Sequence, residues 1–207
     1  MVIGKRNSTS SHYRINQKNQ FKSPANTKEM THQINISEAA VYVGTYGKYN
    51  DGSIFGKWLN LSDYADKEEF YAACHELHND EEDPEFMFQD YENIPEGLIS
   101  ECSISDNLFE VIEAFENMEE NQKEPFLIWC NNGHRSLSEE DINNLISAFE
   151  SDYIGEYDSE EDFATELVEE RGDLSDFAKQ YFDYEAYTRD LFLSDYWSDG
   201  GYVFYNS

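Results

Sequence analysis

The sequence predicts an α+β protein made of several small domains, and three observations carry that reading. Stretches of period-3.6 hydrophobicity alternate with short β-rich runs, but without the regular βαβ rhythm of a parallel sheet. The chain has 207 residues, of which 39% are hydrophobic and 15% aromatic, so it is too rich in core-forming side chains for wholesale disorder. Charge is the third. Of 44 acidic and 14 basic residues, one acid and six bases lie in positions 1–36, which leaves 43 acids against eight bases, a net −35 over the remaining 171 residues.

Residues 1–36 are rich in Asn, Gln, Ser and Lys and have no sustained period, so a disordered basic tail is expected there, with the body starting near Met30 as one reading of the abrupt charge reversal. Val41 to Tyr46 is a β-rich run, and Asp51-Gly52 before a second run, Ile54 to Leu61, signals a hairpin. Asp66 with Glu69 reads as a capping box for a helix to about His78 with Phe70, Cys74 and Leu77 inward. Phe86 and Phe88 alternate with polar neighbours as a half-buried strand, and Asn93 to Gly97 breaks the pattern at a first domain boundary.

Ser105 is expected to cap a helix to about Glu120, its inner face Leu108, Val111, Ile112, Phe115 and Met118. Pro125 introduces Phe126 to Cys130, an apolar run expected as a buried strand, and Ser138 starts a helix through Ile142, Leu145, Ile146 and Phe149. Tyr153 to Tyr157 reads as a strand. Ser159 caps a helix with Phe163, Ala164, Leu167 and Val168 inward, ended by Gly172. Two further helices are expected over Leu174 to Phe182 and Tyr184 to Leu193, then a strand from Tyr202 to Tyr205.

The charge points to function. Duplex DNA has one negative charge per ~1.7 Å of axis, so 35 excess charges match about 60 Å, roughly 17 base pairs. Such a body repels nucleic acid and anionic membrane and is drawn to a positive groove, where it competes with DNA. The outward acids recur at steps of three and four: Glu110, Glu113, Glu116 and Glu120 on one helix, Asp162, Glu166 and Glu169 on another. Steps of that size put carboxylates ~5–6 Å apart, close to phosphate spacing along a strand.

Other chemistry has little support. There is no phosphate-binding glycine loop, no nucleophile elbow and no calcium loop, and with so many carboxylates a pair at catalytic separation means nothing. No catalytic or cofactor-binding residues are assigned. Cys74, His75 and His78 are the only metal-like cluster, and a packed Cys beside partly exposed His residues describes it better than a metal site. Cys74, Cys102 and Cys130 fit reduced thiols, and no apolar stretch approaches a membrane span, so a cytoplasmic protein is expected. A salt-adapted or scaffold protein, and less so an acid-dependent hydrolase, are the rival classes.

The segments "VYVGTYGKYNDGSIFGKWLNL" (41–61), "FQDYENIP" (88–95), "YFDYEAYTRDLFLSDYW" (181–197) and "GYVF" (201–204) resemble the ArdA antirestriction proteins of conjugative and mobile elements. That resemblance implies an elongated α+β homodimer with three small domains in a row. It implies a mimic of bent B-form DNA that occupies the DNA groove of type I restriction-modification enzymes and needs no cofactor. On this chain the domains would be 37–97, 98–150 and 151–207. The same resemblance places dimer contacts between Tyr153 and Glu170, with Tyr153, Tyr157 and Phe163 as candidates.

Overall fold

The computed structural model describes residues 35–132 and 135–206. The expectations for a disordered tail and a start near Met30 fall on residues 1–34, outside the described residues. Ile36, expected in that tail, is instead 4% exposed in a 3-10 turn, Ile36–Glu38, so the folded body begins ahead of position 37.

The first sheet comprises β1 (Ala40–Thr45), β2 (Lys57–Asn60) and β3 (Phe86–Glu92) in the order β2-β1-β3, antiparallel throughout. Val41 and Val43 of the central strand are fully buried. The expected pairing is present, but the link is not a tight two-residue turn. Thr45 accepts a hydrogen bond from the Lys48 amide and starts a five-residue helix, α1 (Tyr46–Asn50), ahead of the Asp51-Gly52 turn. The ladder closes with Val43 opposite Lys57. A side chain at Gly56 would put its Cβ 2.6 Å from the Val43 carbonyl, so the return strand needs glycine for its close approach.

Asp66 caps α2 (Lys67–Leu77) by accepting from the Glu69 amide at 2.8 Å, while the Glu69 carboxylate accepts from Ala65, one residue earlier than a standard box. Phe70 and Cys74 face inward, and burial pushes the Cys74 thiol up to about 12. His75 is exposed. His78, expected to be partly exposed, is wholly buried. Its Nε2 donates to the Val43 carbonyl at 3.2 Å and its Nδ1 accepts from Lys48 Nζ at 3.0 Å, an arrangement that assigns the neutral tautomer. Lys48 also pairs with Asp80 at 2.7 Å and Glu81 at 3.3 Å, and Thr45 donates to Glu81 at 2.8 Å. The Phe55 ring covers the group, 4.6 Å from the ammonium. Strand, short helix and loop are thus tied through one lysine.

Beyond β3, Asn93 and Gly97 adopt positive φ and turn the chain into α3 (Leu108–Asn117). Ser105 does not cap it. The Ser105 hydroxyl donates to the Ser138 carbonyl and Asn107 donates to the Leu137 carbonyl, so the polar residues ahead of α3 tie it to the loop that holds Leu137 and Ser138. Phe126 to Cys130 is not a strand but part of α4 (Glu120–Asn132), with Pro125 inside it. Phe126, Trp129 and Cys130 are the buried positions of the run, at i, i+3 and i+4, a period that five residues alone cannot distinguish from a strand. α5 (Ile142–Asp152) starts from Asp141, whose carboxylate accepts from two backbone amides, rather than from Ser138.

The C-terminal sheet has the order β4-β6-β5, from β4 (Tyr153–Glu156), β5 (Tyr196–Asp199) and β6 (Tyr202–Tyr205). β5 has no counterpart in the sequence reading. Between them lie α6 (Glu160–Arg171), α7 (Asp176–Lys179) and α8 (Tyr184–Ser194). Ser159 caps α6 and Gly172, at φ +65°, ends it; α7 is one turn where a longer helix was expected. The architecture is α+β. One apolar cluster runs from Ile36 through α3, α4 and α5 to Phe204, and Phe163 sits in a second nest with Tyr157, Phe192 and Tyr196.

Lys48→Met keeps the aliphatic stem but removes the ammonium, and should cost about 1–3 kcal/mol in urea unfolding because His78 and Glu81 lose their donor. Burial lowers the His78 pKa below its ordinary value near 6.5, helped by Lys48 and opposed by the bond to Val43. The unfolded chain therefore takes up this proton at higher pH than the folded one. The His78 contribution is full above the unfolded value and lost as pH falls toward the folded one. His78→Gln should flatten the stability slope below about pH 7; an unchanged slope would remove His78 from the account.

Candidate functional site: an acidic ridge between two grooves

The orientation of α3 follows from what it buries. Leu108, Val111, Ile112 and Phe115 are at most 6% exposed, and the 3.6-residue period then turns Glu110, Glu113 and Glu116 to solvent. At a rise of ~1.5 Å per residue these carboxylates recur about every 4.5 Å along the axis. None of the three has a basic partner within 4 Å among the described residues. Glu120 lies outside this row. Helix α3 stops at Asn117, because Met118 is extended, and Glu120 opens α4 and pairs with Lys123 at 2.7 Å.

The row stands between two grooves. One, of about 450 Å³, lies between α3 and α5; the other, of about 680 Å³, lies between α3 and the start of α2, and Glu110 and Glu113 line both. Phe109 is half-buried against Phe70 with ring centroids 6.3 Å apart, and forms part of the second groove. It packs α3 on α2.

On α6, Asp162, Glu166 and Glu169 are exposed, opposite buried Phe163, Ala164 and Val168. Asp162 also serves the start of its own helix, because the Ser159 hydroxyl donates to its carboxylate at 2.6 Å and accepts from its amide. The anionic surroundings register on nearby phenols. Tyr157 is raised by burial and then by Glu166 and Glu170, and Tyr202 is pushed up to about 12 by burial together with Glu124, to which it donates at 3.2 Å.

The three candidate dimer residues do not share one environment. Tyr153 is half-buried and stacks on Phe149 at 5.1 Å, and Tyr157 meets Phe163 edge-on. Phe163 is 2% exposed and serves the interior, so it offers no surface to a partner. The large apolar side chains that do face solvent are elsewhere: Phe177, Tyr181 and Leu193 around α7 and α8, and Ile54 and Phe55 after α1. The i, i+4 spacing of Phe177 and Tyr181 was the available signal, since their rings meet at 5.0 Å on one side of a short helix.

Among the described residues, His78, Asp80 and Glu81 form a grouping of metal-ligand type, with ligand atoms within 4.8 Å of one another. The Lys48 ammonium already sits among them and supplies the positive charge. Lys48 holds the Asp80 carboxyl below the usual range, and Lys67, 2.5 Å away, does the same for Asp106. No described helix is long and apolar enough to cross a membrane.

A family model described as Antirestriction protein (ArdA) matches residues 41–204. Comparison with curated proteins finds no match. The matched span contains every ridge residue and both grooves.

Unpaired like charges on one surface repel, and salt screens them. Raising ionic strength from about 0.05 to 0.5 M should therefore raise the melting temperature. The Glu113→Gln, Glu116→Gln double variant should be as stable as the parent to within about 0.5 kcal/mol, or more stable. A loss well beyond that would mean that the ridge acids hold the fold.

Proposed function

The chain belongs to the ArdA family of antirestriction proteins, and from that premise we propose that it blocks type I restriction-modification enzymes by lying, as a DNA mimic, in the groove where they bind DNA. Antirestriction function and interaction with restriction-modification enzymes are what the family implies. The choice of the type I class and the mimicry are our reading.

The observation that carries it is the exposed, unpaired acidic row on α3, repeated on α6, over a body of 43 acids and eight bases. Lys and Arg side chains that hold DNA phosphates can take carboxylates instead, and displacing the counterions on both surfaces favours association at low salt. Inhibition by occupancy requires no turnover and no cofactor. The division into segments 37–97, 98–150 and 151–207, a homodimer with contacts in the 153–170 region through Tyr153 and Tyr157, and a cytoplasmic site of action belong to the same proposal. Two copies would double the length of DNA replaced and make the second contact intramolecular.

The test is a gel-shift competition between the protein and a DNA duplex for a purified type I enzyme at several salt concentrations. The protein should release DNA, and its own affinity should fall steeply with salt. Single changes such as Glu113→Gln should cost less than about fivefold each, as exposed ion pairs do, whereas removing Glu110, Glu113 and Glu116 together should cost clearly more than any one of them. Loss of all inhibition on changing one carboxylate in a folded protein would exclude distributed mimicry.

A further inference from the structure

The groove between α3 and α5 is not what a pure polyanion would present. Its lining is mixed: Ala114 and Met118 from one side and Ile146 from the other, over buried Phe149, put apolar surface among polar side chains. Around them stand the carboxylates of Glu110, Glu113, Glu119 and Glu150, with the amides of Asn117, Gln122 and Asn143. Phosphates have no apolar counterpart, so charge replacement alone gives no reason for the apolar surface that Met118 and Ile146, packed on the core, leave exposed between carboxylates. Leaving such side chains in water is unfavourable by ~25 cal/mol per Å² of apolar surface.

The geometry points to a docking site for a basic amphipathic helix of the restriction enzyme, its apolar ridge seated on the Ala114, Met118 and Ile146 floor and its Lys and Arg side chains on the Glu rim. Two parallel walls formed by helices accept the ridge of a third helix, and Ala114, the smallest side chain on the floor, leaves the space for it. The volume, about 450 Å³, suits a few side chains rather than a whole domain. Charge complementarity selects the occupant. The acidic body of a second copy would bring carboxylates against carboxylates, whereas a basic helix offers long aliphatic stems for the apolar side chains and cationic tips for the carboxylates. The inference rests on the restriction-enzyme reading above and deepens it: the rim supplies a salt-sensitive part of the affinity, the floor a part that salt does not screen.

The probe is the purified type I enzyme, titrated with Ala114→Leu, which fills the groove, and Met118→Gln, which makes its floor polar; both leave the charge intact. Each should weaken binding about tenfold at every salt concentration without changing the slope of log affinity against log salt. Glu113→Gln should lower that slope, and Met118→Leu should bind like the parent, which separates loss of the floor from loss of folding. Unchanged affinity in Ala114→Leu and Met118→Gln while the parent still displaces DNA would overturn the groove and leave mimicry standing. Failure of the parent to bind the enzyme would overturn both. A change in sedimentation of the free protein on Ala114→Leu would assign the groove to contact between copies and equally exclude the enzyme helix.

Discussion

A body with 43 acids and eight bases has to cohere without a surface lattice of ion pairs, and that constraint orders everything else in it. Two carboxylates ~5.5 Å apart in water repel by about 0.7 kcal/mol before screening, and the ridge contains such neighbours in series. Each buried Phe contributes about 1.5–3 kcal/mol by leaving water, with ~0.5–1.5 kcal/mol more for a well-placed aromatic pair. The aromatic content is therefore structural in the main. Phe70, Phe88 and Tyr71 pack the first sheet on α2, and Phe115, Phe126, Trp129 and Phe149 join the three middle helices. Phe204 continues the chain of rings into the second sheet.

The scarce cations are placed accordingly. Lys48 holds β1, α1 and the loop after α2 through His78, Asp80 and Glu81. Lys67 reaches from α2 to the Ile104 carbonyl and Asp106, ahead of α3. Arg135 lies over the Trp129 ring at 4.1 Å, whose indole N–H in turn donates to buried Asp152. These positive charges face inward contacts or neighbouring segments, so they leave the α3 ridge unneutralised. Three of the eight bases, Lys48, Lys67 and Arg135, thus link parts of the fold, while Lys123, Arg171 and Arg189 pair with acids close by in the chain.

Much of this was legible from residue order. The inner faces of α2, α3, α5 and α6 follow from 3.6-residue spacing, and the exposure of Glu110, Glu113, Glu116, Asp162, Glu166 and Glu169 follows from the same spacing once the other face is buried. Helix starts were legible where the capping residue bonds its own helix, as Asp66 and Ser159 do. They were misplaced at Ser105, whose hydroxyl reaches the Ser138 carbonyl, and at Ser138, whose hydroxyl meets that of Ser136 in its own loop. The Phe126 to Cys130 run was ambiguous because five apolar residues satisfy either period.

By itself, then, the sequence determined the net charge, the α+β class, the matched family span and which carboxylates share a helix face, since these depend on composition and on spacing within one element. Only the tertiary structure decided that His78 is buried under Lys48, that Phe163 points into a nest of rings and not outward, and that a groove with apolar side chains in its lining borders the acidic row. Those facts depend on which elements pack side by side. Contacts between residues distant in the chain are set by the burial of whole faces against one another, and no local period encodes the neighbour a face will meet.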